Sequence, residues 1–138
     1  MRWAILDSNI YIGHWERGQF DELLSSICRS FVVRHSAVVL SELRRGARTR
    51  EAERLVAALY RIASPLWEPS ADDWWKAGKL IGEIGDTEGW DTAKRREFQN
   101  DALIALTARR YGASVVTANR RDFDCLARQL RIQILWAQ

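Results

Sequence analysis

Short apolar runs alternate with stretches of helical periodicity along this chain. The run Trp3–Leu6 reads as a buried strand that ends at Asp7. Phe20, Leu23, Leu24 and Ile27 recur at i, i+3, i+4 and i+7, the spacing of one helix face. Residues 31–34 predict a second strand. Ser36 is placed to cap a helix that runs to Gly46, a good stop. Ala52, Leu55, Val56, Leu59, Ile62 and Ala63 mark another amphipathic helix. Leu66 and Trp67, bracketed by Pro65 and Pro69, predict a short edge strand.

Ser70 with Asp73 has the spacing of a capping box, opening a helix through Trp74, Ala77, Ile81 and Ile84. Residues 85–98 are polar and read as a loop or a frayed helix end. Residues 102–108 are almost wholly apolar, which predicts a central helix ending at Gly112. Ser114–Thr117 reads as a strand, residues 122–129 as a short helix and residues 132–135 as a last strand. Strands that alternate with helices imply parallel pairing, with helices on both faces. In such a sheet the ligand crevice lies beyond the carboxyl ends of the strands.

Composition narrows the class. The chain has 138 residues, about one ordinary domain, and no linker or repeat divides it. The apolar share of 47% fits a globular protein and argues against disorder. Most of the seven tryptophans are expected in core and interface packing. Cys28 and Cys125, with His14 and His35, have no zinc spacing, so the cysteines read as reduced packing residues of a cytoplasmic protein. No apolar run approaches a membrane span, and no signal-peptide pattern stands at the start.

The net charge of +3 is too small to imply nucleic-acid binding by itself. Its placement is more informative. Arg44 and Arg45, Lys94, Arg95 and Arg96, and Arg120 and Arg121 all lie beside polar positions that interrupt apolar runs. Those positions are Asp7 at the end of the first strand, Glu42 inside the helix after the second, Asp101 at the start of the most apolar helix, and Asn119 after the fourth strand. Each has an ordinary explanation. Asp7 or Asn9 could cap the first helix, Glu42 could pair with Arg45, Asn100 or Asp101 could cap a helix, and Asn119 with Asp122 has capping-box spacing. Their common placement changes the balance. Asp7 and Asn119 lie just past the ends of predicted parallel strands and Asp101 precedes an apolar helix; if the first and fourth strands are neighbours, these three converge, and carboxylates brought close raise one another's pKa unless a cation joins them. A hard divalent ion suits such an all-oxygen site.

Four segments then carry a resemblance: Leu6-Asp7-Ser8-Asn9, Ser41-Glu42-Leu43-Arg44-Arg45-Gly46, Asn100-Asp101-Ala102-Leu103-Ile104-Ala105, and Thr117-Ala118-Asn119-Arg120-Arg121-Asp122-Phe123. In order and spacing they resemble the motifs of PIN-domain nucleases, most closely the VapC-type toxins of toxin–antitoxin pairs. The resemblance implies a three-layer α/β/α sandwich around a central parallel β-sheet. It implies Mg²⁺- or Mn²⁺-dependent endonucleolytic cleavage of RNA, homodimerisation and inhibition by a cognate antitoxin. Asp7 and Asp101 would hold the principal metal, and Glu42 would support it, hold a second ion or orient the attacking water. Many members carry Asp where this chain has Asn119, which puts a second metal in question; Asp122 could supply the missing charge. Thr117 either orients the acids or is an ordinary strand-end hydroxyl.

The basic residues Arg44, Arg45, Lys94, Arg95, Arg96, Arg120 and Arg121 are expected to include contacts to RNA phosphates. Trp15 or Trp90 could stack on an unpaired base. The helices around Phe20 and Ala52 could form a groove for the antitoxin, if each has more apolar surface than the core uses. Three rival readings fit less well. A haloacid-dehalogenase-type phosphatase needs a second Asp two residues after the first, where this chain has Asn9. A phosphoacceptor receiver domain needs a paired acid and a late Lys that are not evident. A non-catalytic nucleic-acid-binding module shares the fold, but three intact acids argue against it; within the nuclease reading, toxin and RNA-processing enzyme are separated by the neighbouring gene.

Overall fold

The computed structural model describes residues 2–137. In chain order the elements are β1 (Trp3–Leu6), α1 (Ser8–Arg17), α2 (Asp21–Ser30), β2 (Val32–Ser36), α3 (Ala37–Gly46), α4 (Arg50–Ile62), β3 (Leu66–Trp67), α5 (Ala71–Glu88), α6 (Thr92–Glu97), α7 (Gln99–Tyr111), β4 (Ser114–Thr117), α8 (Arg120–Gln129) and β5 (Ile134–Trp136). The strands form one sheet in the order β3-β2-β1-β4-β5, with every pairing parallel.

Both faces of the sheet are covered, so its strands are apolar without alternation. Ile5 and Val115 enter one core cluster with Leu40, Val56, Ile81 and Leu103, while Ala4, Leu6 and Val116 enter another with Ile10 and Ile27. Helices thus sandwich the sheet as expected. Helix α7 is the most deeply set, with every residue from Ala102 to Ala108 buried. Thr107, polar within it, returns its hydroxyl to Leu103 O at 2.8 Å. Gly112 ends the helix in the left-handed region at φ 67°, where a side chain would be strained. At the sheet edge, Trp67 stacks on Tyr111 with ring centres 4.0 Å apart and meets Trp3 edge-on at 5.3 Å.

The structure corrects several expectations. Residues 85–98 are not a loop: α5 continues to Glu88 because Ile84 and Gly85 are still buried, Gly89 closes it, and α6 follows. Asp91 caps α6 by accepting from Lys94 N at 2.8 Å. Helix α1, which carries no clear apolar stripe, fills the stretch after β1. Strand β2 starts one residue later than expected and β5 two residues later. Cys125 is buried but Cys28 is exposed, so only the former is a packing residue. Trp74 and Trp75 are also outside the core, at 51% and 82% exposure. Among the described residues no helix is long and apolar enough to cross a membrane.

Candidate active site

Strands β1 and β4 are neighbours, with Leu6 level with Val116. Asp7 and Thr117 are each the next residue along, so both sit at the carboxyl edge of the sheet centre. Asp7 N donates to Val116 O at 2.9 Å, which carries the pairing one step past β1. The Asp7 carboxylate is buried and receives three neutral donors. Ser8 N reaches Oδ1 at 2.8 Å, and the Thr117 hydroxyl and Asn9 Nδ2 reach Oδ2 at 2.7 and 3.1 Å. Asp7 is therefore the cap of α1 and also a member of the acid cluster. Burial raises its pKa, and the bonds from Thr117, Ser8 and Asn9 oppose the rise. Thr117 is more than a strand-end hydroxyl: it also accepts from Asn9 Nδ2 and from Asn119 N.

Glu42 reaches the same region from α3. Asn100 Nδ2 donates to its Oε2 at 3.3 Å, in place of the ion pair with Arg45 that spacing allowed. Its Oε1 is buried with no hydrogen-bond partner. Burial and then the charge of Asp7 raise the Glu42 pKa.

Asp101 lies in the first turn of α7 but does not cap it; Phe98 holds the cap position without a side-chain bond. Asn119 Nδ2 donates to Asp101 Oδ2 at 3.1 Å and to Asp122 Oδ2 at 3.2 Å. Two carboxylate oxygens at that distance fix the amide with its NH₂ toward them. The Asn119 oxygen faces Asp122 N, so this residue is at once the cap of α8 and a bridge between acids. Burial pushes the Asp101 pKa up to about 8, helped in turn by Asp7, Asp122 and Glu42 and opposed by Lys94.

The four acids thus share one electrostatic neighbourhood. They do not close into a cage: among the described residues no three His, Cys, Asp or Glu side chains form a ready-made metal site. An unpartnered buried carboxylate oxygen beside an acid that holds its proton near pH 8 is nonetheless a site short of positive charge. A hydrated Mg²⁺ fits this donor set, because it takes one or two carboxylates and keeps several waters.

The basic residues divide. Arg44, Arg45, Arg96, Arg120 and Arg121 are exposed. Lys94 is bound to Asp122, with Nζ 3.0 Å from both oxygens. Arg95 is turned away onto α5, donating to Trp90 O at 3.1 Å and to Asp86. Gly85 makes that possible, since a Cβ there would meet the Arg95 guanidinium at 2.7 Å. Trp90 packs on Phe98 and Trp15 on Tyr11, so neither is a free stacking platform. The supporting role of Asn100 and the contact of Lys94 escaped the sequence; the first had a signal in its place directly before Asp101.

Parallel strands with a cluster of acids at the carboxyl ends of the central pair define an α/β protein built around a carboxylate centre. The PIN domain profile matches residues 4–129, and the chain belongs to that family. No curated protein matches it in sequence. Solved structures match over nearly its whole length. VapBC from Salmonella typhimurium, bound to DNA, is 22% identical with a TM-score of 0.71, covering 100% of each chain. VapBC2 from Rickettsia felis, bound to a promoter DNA fragment, is 20% identical with a TM-score of 0.71, covering 99% of each. VapBC-5 from Mycobacterium tuberculosis, of the VapBC family of toxin-antitoxin systems, is 20% identical with a TM-score of 0.65, covering 99% of each. At these identities the likeness is one of fold.

Proposed function

We propose that this chain is a Mg²⁺- or Mn²⁺-dependent endoribonuclease and the toxin of a toxin–antitoxin pair. One observation carries the reading: Asp7, Glu42 and Asp101, far apart in sequence, share one neighbourhood at the carboxyl edge of the sheet, where burial and then the charge of Asp7 raise the pKa of both Glu42 and Asp101, and Glu42 Oε1 is unpartnered. Asp7 and Asp101 hold the ion, and a bound divalent ion supplies Lewis acidity at a phosphodiester oxygen. Thr117, Ser8 and Asn9 fix the Asp7 carboxylate, and Asn119 fixes Asp101. Glu42, whose Oε1 has no partner in hydrogen-bond geometry although the Ser8 hydroxyl also acts on its carboxyl, would accept the proton of the attacking water; a carboxylate with a raised pKa is the better base for this. The exposed Arg44, Arg45, Arg96, Arg120 and Arg121 offset the repulsion between an acidic site and the RNA backbone.

The antitoxin partner is supported by an apolar groove of about 640 Å³ between α3 and α4, lined by Leu40, Val56, Tyr60 and Leu66 with Arg44 and Arg61 at its sides. It suits an amphipathic segment carrying acids. The expected contribution of α2 is not found there, because Phe20, Leu23, Leu24 and Ile27 all pack into the core. A homodimer has the exposed Trp74 and Trp75 on α5 as free apolar surface.

Single-stranded RNA incubated with the protein tests the central claim. Cleavage is expected with Mg²⁺ or Mn²⁺, is abolished by EDTA, and falls by at least about 100-fold in a folded Asp7→Asn variant. Cleavage that survives both controls rejects the metal mechanism.

A further inference from the structure

Helix α6 carries a fixed cation into the acid cluster. Lys94 Nζ sits 3.0 Å from each oxygen of Asp122, with the two side chains only 26% and 9% exposed. The same ammonium lies 5.2 Å from the centre of the Trp90 ring. Its position is built: Asp91 caps the helix, and Arg95 ties it to α5 through Gly82 O and the Asp86 carboxylate.

The acids are therefore unequally provided for. Asp122 accepts two bonds from a cation and one from Asn119. Asp7 has three donors but no cation, Asp101 has one amide, and Glu42 has one amide and an unpartnered oxygen. Between Asp101 and Asp122 stands the Asn119 NH₂, its hydrogens pointing at both. A divalent ion approaching that half meets amide donors and a positive charge. In the half bounded by Asp7, Glu42 and Asp101 no cation is in contact with a carboxylate among the described residues; Arg45 acts on Glu42, and Lys94 on Asp101, only from a distance.

We propose that the Lys94 ammonium is a tethered cation filling the Asp122 half of the cluster, so that the site takes a single divalent ion, among Asp7, Glu42 and Asp101. Lys94 is a positioning residue: it sets where the ion sits and how many enter. The inference rests on the nuclease reading only in requiring that a divalent ion binds at all. It also removes Lys94 from the residues available to RNA phosphates.

Counting bound Mn²⁺ on the intact, metal-stripped chain, by calorimetric titration and by loss of the free-ion spin-resonance signal, tests this without RNA. The wild type is expected to bind one ion. Asn119→Asp, which adds a carboxylate but keeps the tethered charge, is expected to stay at one. Asn119→Asp with Lys94→Met is expected to bind two. Two ions in the wild type or in Asn119→Asp, or one in the double variant, overturns the proposal and leaves the nuclease reading standing. A wild type with no ion removes both. Should the double variant fail to fold by circular dichroism, the wild type and Asn119→Asp still decide.

Discussion

Two acids, the buried Asp73 and the partly buried Asp101, occupy the first turns of α5 and α7 and are treated in opposite ways. Asp73 completes a capping box, accepting from Ser70 N at 2.9 Å, and Arg110 Nε meets the same oxygen at 3.0 Å. That guanidinium comes from the far end of α7, the helix that carries Asp101 at its start. Asp101 receives a single neutral amide and faces three other acids. The first is a charge that the fold itself satisfies. The second is held in conditions that only a proton or an added cation relieves. Burial of a carboxylate therefore says little by itself; what surrounds it separates architecture from chemistry.

The most drastic way to sharpen this contrast is to neutralise each acid. Asp101→Asn is expected to lose cleavage while the metal-free protein keeps or gains thermal stability, because a carboxyl that must take up a proton to fold near neutral pH is gone. Asp73→Asn is expected to keep the activity of whatever folds but to lose roughly 1–3 kcal/mol of stability, the scale of breaking a buried charge-assisted contact. Denaturant titration and RNA cleavage measured side by side check both, and the contrast breaks if Asp101→Asn is the less stable of the two.

A smaller effect lies in pH. The Asp101 pKa is raised from 3.8 to about 8, so over that interval the unfolded chain releases a proton that the folded chain retains. Stability of the metal-free protein should fall as pH rises from about 4 and level off above about 8. Melting temperatures across this range check it, with Asp101→Asn expected to flatten the slope. A stability that climbs through the same interval would contradict the crowding of charge described here.

The finest probe is Thr117→Val. It removes the donor at 2.7 Å from Asp7 Oδ2 and leaves the strand shape intact. Metal affinity is expected to fall about 10-fold, the usual scale for a group that orients a ligand. An unchanged Mn²⁺ titration would return Thr117 to an ordinary strand residue.

What the sequence made legible followed from short-range rules. Trp3–Leu6 and Ser114–Thr117 read as buried strands because both of their faces are covered, and Ser70 with Asp73 announced a cap that is present. Asp7, Asp101 and Asn119 are marked by placement at strand ends and a helix start, and the pairing of β1 with β4 brings them together; Glu42 on α3 is linked to them only by the family resemblance. Contacts between distant polar side chains were not legible. Lys94 and Asp122 are 28 residues apart, and the segment holding Lys94 read as a loop because α6 has no buried residue of its own to betray it. Asn119 looked like a lost acid; in space its amide joins two of them. Arg95 looked like a free charge until Gly85 let it lie against α5.

The depth of α7 has one more consequence. Surface acids that repel one another drift apart, trading a rotamer or a loop shift for relief. The carboxylate at the mouth of α7 rides on the least movable segment of the chain, locked by neighbours on all sides from Ala102 to Ala108. Its tension has no mechanical outlet, and on the nuclease reading proposed above that keeps the cluster primed for an ion before one arrives.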